Sequence, residues 1–531
     1  MNGLSLIRTW VAAALAAAVL YFCFFSRLDA FGVIGPDEPR YASIARAMAE
    51  TGDWVTPRLD GKPWFEKPVF YYWSAAAAFR LFGVSESSAR LPSAVSATLA
   101  ALALAGLAWR TYGAGTAWAV LLIFPTCAGV FAFARAGTTD MPFSAALALA
   151  MVAAFHTVCD DEKSPQRLRQ FLFGALLGMA ALAKGPAAIV LAGGSVGLWA
   201  LATGRWKQAW RLAHPLAVIA FCAVTLPWYV LCAMRNPEFL SVFLLSHNVD
   251  RFLTPVFQHE QPLWFYGPIL LLGLLPWSAL LVGVARDAAT AGREKRWKGS
   301  HGFFFACWAI FPIVFFSLSK SKLPGYVLPV FAPLALLMAR SVTRAIEQKD
   351  GFAQWLMEWT GVTLLMLTGS AGYWLSKFPA QLEAMTRLEI AAGIVAVLIA
   401  GLFVSGLAWA RKFWPALILA AVLMAGLIEL VNQRFVPALD KQISPRAAAR
   451  VIQAQGNVAA GVTVYRLHRA WHYGLNFYMH REVPAWQPGS AARGPELVVT
   501  SAAGAKELEA AGVRFRVIER VSRQAVVVGV E

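Results

Sequence analysis

This chain is short of charge. Asp, Glu, Lys and Arg make up 15% of its 531 residues, whereas 58% are hydrophobic. A soluble domain averages about 25% charged residues, so this composition points to a polytopic membrane protein. Cysteine is sparse too. Cys23, Cys127, Cys159, Cys222, Cys232 and Cys307 all fall in or beside apolar runs. They have neither metal spacing nor a disulfide framework, and read as small buried hydrophobes. No nucleotide-binding motif is present. The first apolar run, 7–25, is long and aromatic and no small-residue cleavage site follows it, so a retained anchor is expected. No internal repeat of the transporter kind is found.

What is abundant is long apolar sequence. Runs of about 17–25 residues give about thirteen expected spans. Their centres are Leu15, Leu99, Ile123, Leu149, Leu177, Leu191, Ala220, Leu274, Ile310, Leu334, Leu367, Ala396 and Ala421. Lys184-Gly185-Pro186 interrupts the pair around Leu177 and Leu191, where a half-helix break is the alternative. Basic loops set the orientation. With the N-terminus in the cytoplasm, the inside loops hold Arg110, Arg205, Lys207, Arg211, Arg286, Arg293, Arg340, Arg344, Arg411 and Lys412. An odd span count then leaves the C-terminal part outside. The net charge of +17 is read as cytoplasmic snorkelling and lipid contact, not nucleic-acid binding.

Three pieces are expected outside. In 32–90, a helix should start at Pro36-Asp37 and run to about Glu50. An aromatic helical stretch, 69–82, should lie flat at the interface with its rings at headgroup depth. The loop 234–264 carries His247, Asp250, Arg251, His259 and Glu260. The region 432–531 alternates helices (445–455, 471–479, 505–511) with strands (462–465, 496–500, 515–518, 525–530), a small α/β domain without chemistry of its own.

Chemistry concentrates on that outer side. Asp37 and Glu38, in Gly35-Pro36-Asp37-Glu38-Pro39-Arg40-Tyr41, can be read as helix-start carboxylates or as a catalytic base or orienting group. Arg40 could stabilise an anion or pair with Asp37. Glu66-Lys67 reads as a surface ion pair, or as a phosphate-binding lysine whose partner holds it or a cation. Asp140 is a helix-start residue or a second cavity carboxylate. Lys184 is a snorkelling lysine or a member of that cavity. Lys320 and Lys322 break the positive-inside pattern, which suggests an anionic ligand. His468 and His472 are four residues apart, but the glutamate of a zinc peptidase motif is missing, so a packed pair is expected.

Together, Asp37-Glu38-Pro39-Arg40-Tyr41, Gly52-Asp53-Trp54, Phe65-Glu66-Lys67-Pro68, Tyr72-Trp73, Ala183-Lys184-Gly185-Pro186, the 247–251 segment, Gln261-Pro262-Leu263-Trp264-Phe265-Tyr266 and Ser321-Lys322-Leu323-Pro324-Gly325-Tyr326 resemble the bacterial lipid A 4-amino-4-deoxy-L-arabinose transferases. These belong, with protein O-mannosyltransferases, to the GT-C membrane glycosyltransferases. The resemblance covers nearly the whole chain. It implies a GT-C fold of about thirteen helices over 1–431, with the periplasmic α/β domain at 432–531, in the bacterial inner membrane.

It also implies roles. Asp37 and Asp140 would be the catalytic acidic residues. Lys67 and Arg251, with Arg40 and Lys322 as further cations, would face the donor's lipid phosphate. Tyr326 would stand at the cavity mouth, and Glu66 and His247 would hold a divalent metal, zinc or another. The donor would be one sugar on undecaprenyl phosphate, with no nucleotide, and the acceptor lipid A or another envelope glycolipid. Membrane lipids would surround a monomer. Pro39 departs from the threonine usual in enterobacterial members and leaves the donor sugar open. Protein O-mannosyl transfer and, in another class, a lipid-linked sugar flippase are the alternative readings. Transfer to asparagine is not expected, because the tail lacks that family's tryptophan-rich acidic motif.

Overall fold

The computed structural model describes residues 3–160, 166–243, 260–294, 296–348, 351–377, 384–456, 461–487 and 496–530. His247, Asp250, Arg251 and His259 lie outside them. Twelve of the thirteen expected span centres fall inside helices. Leu274 falls at the 120° bend between Leu263–Gly273 and Trp277–Arg293. By length and composition, seven helices among the described residues are able to cross a membrane, or nine if each bent pair is one span. Two more apolar helices, Thr9–Phe25 and Ala187–Thr203, are shorter. The expected interruption is a break between helices. Gly185, at φ +67°, follows the Gln166–Lys184 helix, and Pro186 opens Ala187–Thr203.

The bundle has two chemically distinct ends. The Glu86–Tyr112 helix, capped by the Ser85 hydroxyl on the Ser88 amide (3.1 Å), is 27 residues long, about 40 Å at 1.5 Å per residue. Near its start, Arg90 lies buried among first-loop residues. At its far end Tyr112 carries the Arg340 guanidinium over its ring (5.0 Å). Arg169 meets Asp160 (3.0 Å) and Arg344 meets Asp287 (3.4 Å) at the ends of other helices.

The first loop has its own core. Its helix, Asp37–Thr51, starts with two acidic residues at the positive end of the dipole and stops at Gly52, whose φ of +74° suits a left-handed cap. The Phe70–Phe82 helix turns Tyr71, Tyr72 and Phe79 against Tyr41, Ile44 and Met48. This corrects the expectation of rings at headgroup depth. Of the six aromatic residues there, those three are buried inside the loop, because two amphipathic helices bury more apolar area against each other than one does at an interface. A two-residue hairpin joins them: β1 (Arg58–Leu59) pairs with β2 (Lys62–Pro63) across Asp60-Gly61, both at positive φ.

The C-terminal domain is α/β, as expected. β3 (Val462–Tyr465), β4 (Glu496–Thr500), β5 (Phe515–Arg520) and β6 (Val526–Val530) form one sheet in the order β3-β4-β6-β5. β3 and β4 are parallel and the other pairs antiparallel. β6 is buried on both faces: Val526, Val528 and Val530 join one core, Ala525 and Val527 the other. The helix Arg469–Met479 leaves this sheet and packs on the first loop, its Phe477 entering the loop's core.

Candidate active site

A helix turns neighbouring side chains about 100° apart, so Asp37 and Glu38 meet different surroundings. The Glu38 side chain is 4% exposed and its carboxylate is fully engaged. It accepts from Arg90 Nε (2.7 Å) and Nη2 (2.9 Å), from the Gly137 amide (2.8 Å) and from the Ile34 amide (2.9 Å). Arg90 also donates to the carbonyls of Leu28, Phe31 and Gly32. One buried ion pair thus fastens the end of the first span, the first loop and the 136–139 turn to each other. Asp37, by contrast, keeps its side chain 49% exposed. Of the two carboxylates, Asp37 is the one a substrate can reach.

Arg40 sits one turn on and joins Asp37 to Glu66. Its Nη2 pairs with Asp37, its Nη1 with Glu66 Oε2 (3.0 Å), and its Nε donates to the Pro36 carbonyl (3.0 Å). Glu66 Oε1 lies 3.5 Å from Lys67 Nζ. Asp37, Arg40, Glu66 and Lys67 therefore form one continuous charged group, in which the Arg40–Glu66 pair joins two motifs that the sequence left separate. Burial pulls the Arg40 guanidinium pKa down, but Glu66, then Tyr41 and Asp37, outweigh it and hold it above its ordinary value. Burial, then Glu66, raises the Tyr41 and Tyr72 hydroxyls well above the usual phenol range, so both stay neutral. The Tyr72 hydroxyl and the Trp64 indole N–H are buried donors without a partner among the described residues.

A second group is built by the bundle. Asp140 opens the Asp140–Val158 helix and pairs with Lys184, the last residue of Gln166–Lys184. The Lys184 ammonium lies 5.6 Å from the Tyr326 ring and 5.3 Å from that of Phe143. Gly325 approaches so closely that a Cβ there would meet Asp140 Oδ1 at 3.0 Å. Asp140, Lys184 and Tyr326 are thereby brought together. The Glu38–Gly137 bond links this group's turn to the Asp37 helix.

Lys322 belongs to neither group. It is 6% exposed and donates to the carbonyls of Gln261 (2.9 Å) and Ser319 (2.7 Å). A buried ammonium needs acceptors, and here two carbonyls supply them. The lysine ties the end of the outer loop to the 319–323 turn. Arg251 and His247 lie outside the described residues. Among the described residues no three His, Cys, Asp or Glu side chains converge as a metal set. Glu66 faces two cations, Arg40 and Lys67, so a metal there would have to displace them. His472 Nε2 lies 2.7 Å from the Val483 carbonyl and is half-buried, whereas His468 is exposed and caps its own helix through the Ala470 amide (3.3 Å), so only His472 is packed as expected.

Three contributors escaped sequence reasoning. Arg90 had a signal: a lone cation at the start of an apolar run needs a buried partner. Trp64 and Tyr473 had none, since their place beside Arg40 depends on tertiary packing.

Comparison with known proteins gives the family and the fold. The family model for dolichyl-phosphate-mannose-protein mannosyltransferases matches residues 10–243. An undecaprenyl phosphate-α-4-amino-4-deoxy-L-arabinose arabinosyl transferase of Enterobacter sp. (strain 638) is 36% identical over 313 residues, 59% of this chain and 56% of that protein. In that match the chain thus spans little more than half of the relative's length. The protein of the same name from Pseudomonas paraeruginosa is 32% identical over 507 residues, 90% of this chain and 89% of that one. The crystal structure of ArnT from Cupriavidus metallidurans bound to undecaprenyl phosphate superposes with a TM-score of 0.77 at 26% identity, covering 98% of this chain and 97% of that one.

Proposed function

Because the chain belongs to the undecaprenyl phosphate-α-4-amino-4-deoxy-L-arabinose arabinosyl transferase family, with the fold of GT-C membrane glycosyltransferases, we propose that it transfers 4-amino-4-deoxy-L-arabinose, or a closely related sugar, from undecaprenyl phosphate to lipid A. The observation that carries this reading is the charged group on the first loop. It offers one reachable carboxylate, Asp37, beside an arginine, a second carboxylate and Lys67.

In the proposed reaction an acceptor oxygen attacks the anomeric carbon. The bond from that carbon to the lipid-phosphate oxygen breaks, and undecaprenyl phosphate leaves with the electron pair. Negative charge grows on the leaving phosphate, and a preorganised cation stabilises it most where water is scarce. Lys67 is that cation, held in place by Glu66. Asp37 orients the acceptor, and would take a proton only where the acceptor is a hydroxyl. Asp140, neutralised by Lys184, lines the same outer end.

The reading includes topology. The site end and the C-terminal domain face the periplasm of an inner-membrane protein, and the arginine-bearing helix ends face the cytoplasm. Family membership sets the flippase alternative aside. Transfer to protein remains the second reading, favoured by the mannosyltransferase model's match over 10–243. Mass spectrometry of lipid A from cells with and without the chain separates the two. A pentosamine on lipid A supports the proposal; sugar on protein, with lipid A unchanged, overturns it.

A further inference from the structure

Arg40 is enclosed more completely than an ion pair requires. Its nitrogens are taken by Asp37, Glu66 and the Pro36 carbonyl. Three aromatic rings stand around its guanidinium carbon: Trp64 at 5.5 Å, Tyr473 at 5.6 Å and Tyr41 at 5.7 Å. Tyr41 and Trp64 belong to the first loop. Tyr473 comes from the Arg469–Met479 helix of the C-terminal domain.

That helix is fastened to the loop one turn beyond Tyr473. The Tyr478 hydroxyl donates to Glu86 (2.7 Å) and accepts from the Val33 amide (2.9 Å). Asn476 donates to Asp60 (3.2 Å). Arg446, at the root of the domain, pairs with Asp440 (2.8 Å) and reaches the Asp29 carbonyl (2.9 Å). A domain that merely covered the bundle would need no ring at Arg40.

We propose that the C-terminal α/β domain completes the transfer site, with Tyr473 as a positioning residue. Its ring closes the cage that holds Arg40 between Asp37 and Glu66, and through Glu66 it fixes Lys67. A cation facing an aromatic ring is attracted by the ring's quadrupole, and the attraction strengthens as water is excluded. Loosening Arg40 lets both carboxylates drift from the geometry that the transition state needs, while the charge of Lys67 still holds the donor's phosphate in the ground state. The loss should therefore appear in kcat and leave KM for the donor little changed.

The inference rests on the reading of Asp37 as the working carboxylate, so Asp37→Asn is assayed beside it. The experiment uses the purified full chain in lipid nanodiscs, with undecaprenyl phosphate-linked 4-amino-4-deoxy-L-arabinose and lipid A. Tyr473→Leu should lower kcat by about tenfold, the scale of a partly desolvated cation–π contact. KM for the donor and the melting temperature should stay near wild type. Tyr473→Phe, which keeps the ring, should restore most of the rate. Should Tyr473→Leu fail to fold, pentafluorophenylalanine at position 473 keeps ring volume while removing the negative ring face, and should be slow where phenylalanine is not. If Tyr473→Leu or the fluorinated ring turns over like wild type while Asp37→Asn is inactive, the positioning role is wrong and the site stands. If Asp37→Asn is active, the site reading falls, and this inference with it.

Discussion

Neighbouring residues on a helix can carry opposite duties, and Asp37-Glu38 divide them by burial. Glu38 compensates the charge of the fully enclosed Arg90, so Glu38→Gln should destabilise the protein. Removing one member of a buried pair costs about 3–5 kcal/mol, which thermal or denaturant unfolding of the purified protein would register. Sequence alone could place both carboxylates in one motif. It could not say which one faced inward, because that depends on where Arg90 and the Gly137 amide arrive from elsewhere in the chain. The lysines divide in the same way. Lys67 keeps 18% of its side chain exposed beside Glu66, whereas Lys322 is buried on carbonyls. Lys67→Met should lower transfer by about 100-fold or more, the 2.7–4 kcal/mol range of a preorganised donor. Its binding of undecaprenyl phosphate should weaken while its melting temperature holds. Lys322→Met should instead lower the melting temperature. Equal lipid-phosphate binding by Lys67→Met and wild type would move the anion site elsewhere.

Whole elements were more legible than their contacts. The helix expected from Pro36-Asp37 to Glu50 is Asp37–Thr51, and the strand expected over 462–465 is Val462–Tyr465, because caps and alternation are local signals. The β1–β2 hairpin was missed although Asp60-Gly61 is a strong turn pair. Its strands are two residues each, too short for any periodicity to show. That hairpin carries a pH-sensitive tie to the C-terminal domain. Burial, and then the neighbouring Glu482, hold the Asp60 carboxyl above its ordinary pKa, against the Asn476 bond. A carboxyl whose pKa is raised by folding binds its proton more tightly in the folded state. Its contribution is therefore fully present below the ordinary aspartate pKa and is lost as pH rises through the raised value. Asp60→Asn, which cannot ionise, should flatten the part of the melting-temperature profile that falls as pH rises above the ordinary aspartate pKa, about pH 4. An unchanged profile would show that Asp60 does not sense the fold.

At the scale of the molecule, composition alone indicated a membrane bundle, and the basic loops are the basis for the proposed orientation. The positions of the apolar runs were readable, but the number of spans was not. Where Lys184-Gly185-Pro186 or Leu274-Leu275-Pro276-Trp277 interrupts a run, hydropathy cannot separate a bent span from two helices. The convergence of 32–90, the 136–139 turn and 469–479 at one end was hidden for another reason: each is distant in sequence, and ion pairs carry no periodicity. The proposed orientation predicts that Lys506→Cys and Glu509→Cys, both exposed in the C-terminal domain, react with a membrane-impermeant thiol reagent in intact cells when the native cysteines are replaced. Labelling only after lysis would put that domain, and the site beside it, on the wrong side. The most direct test of the central claim is lipid A itself. Cells that make the lipid-linked aminoarabinose but lack their own transferase would carry either this chain or its Asp37→Asn form at equal membrane abundance, and their lipid A would be weighed by mass spectrometry. The account predicts a pentosamine adduct with the wild-type chain and none with Asp37→Asn. No adduct with the wild-type chain, or equal adducts with both, would contradict it.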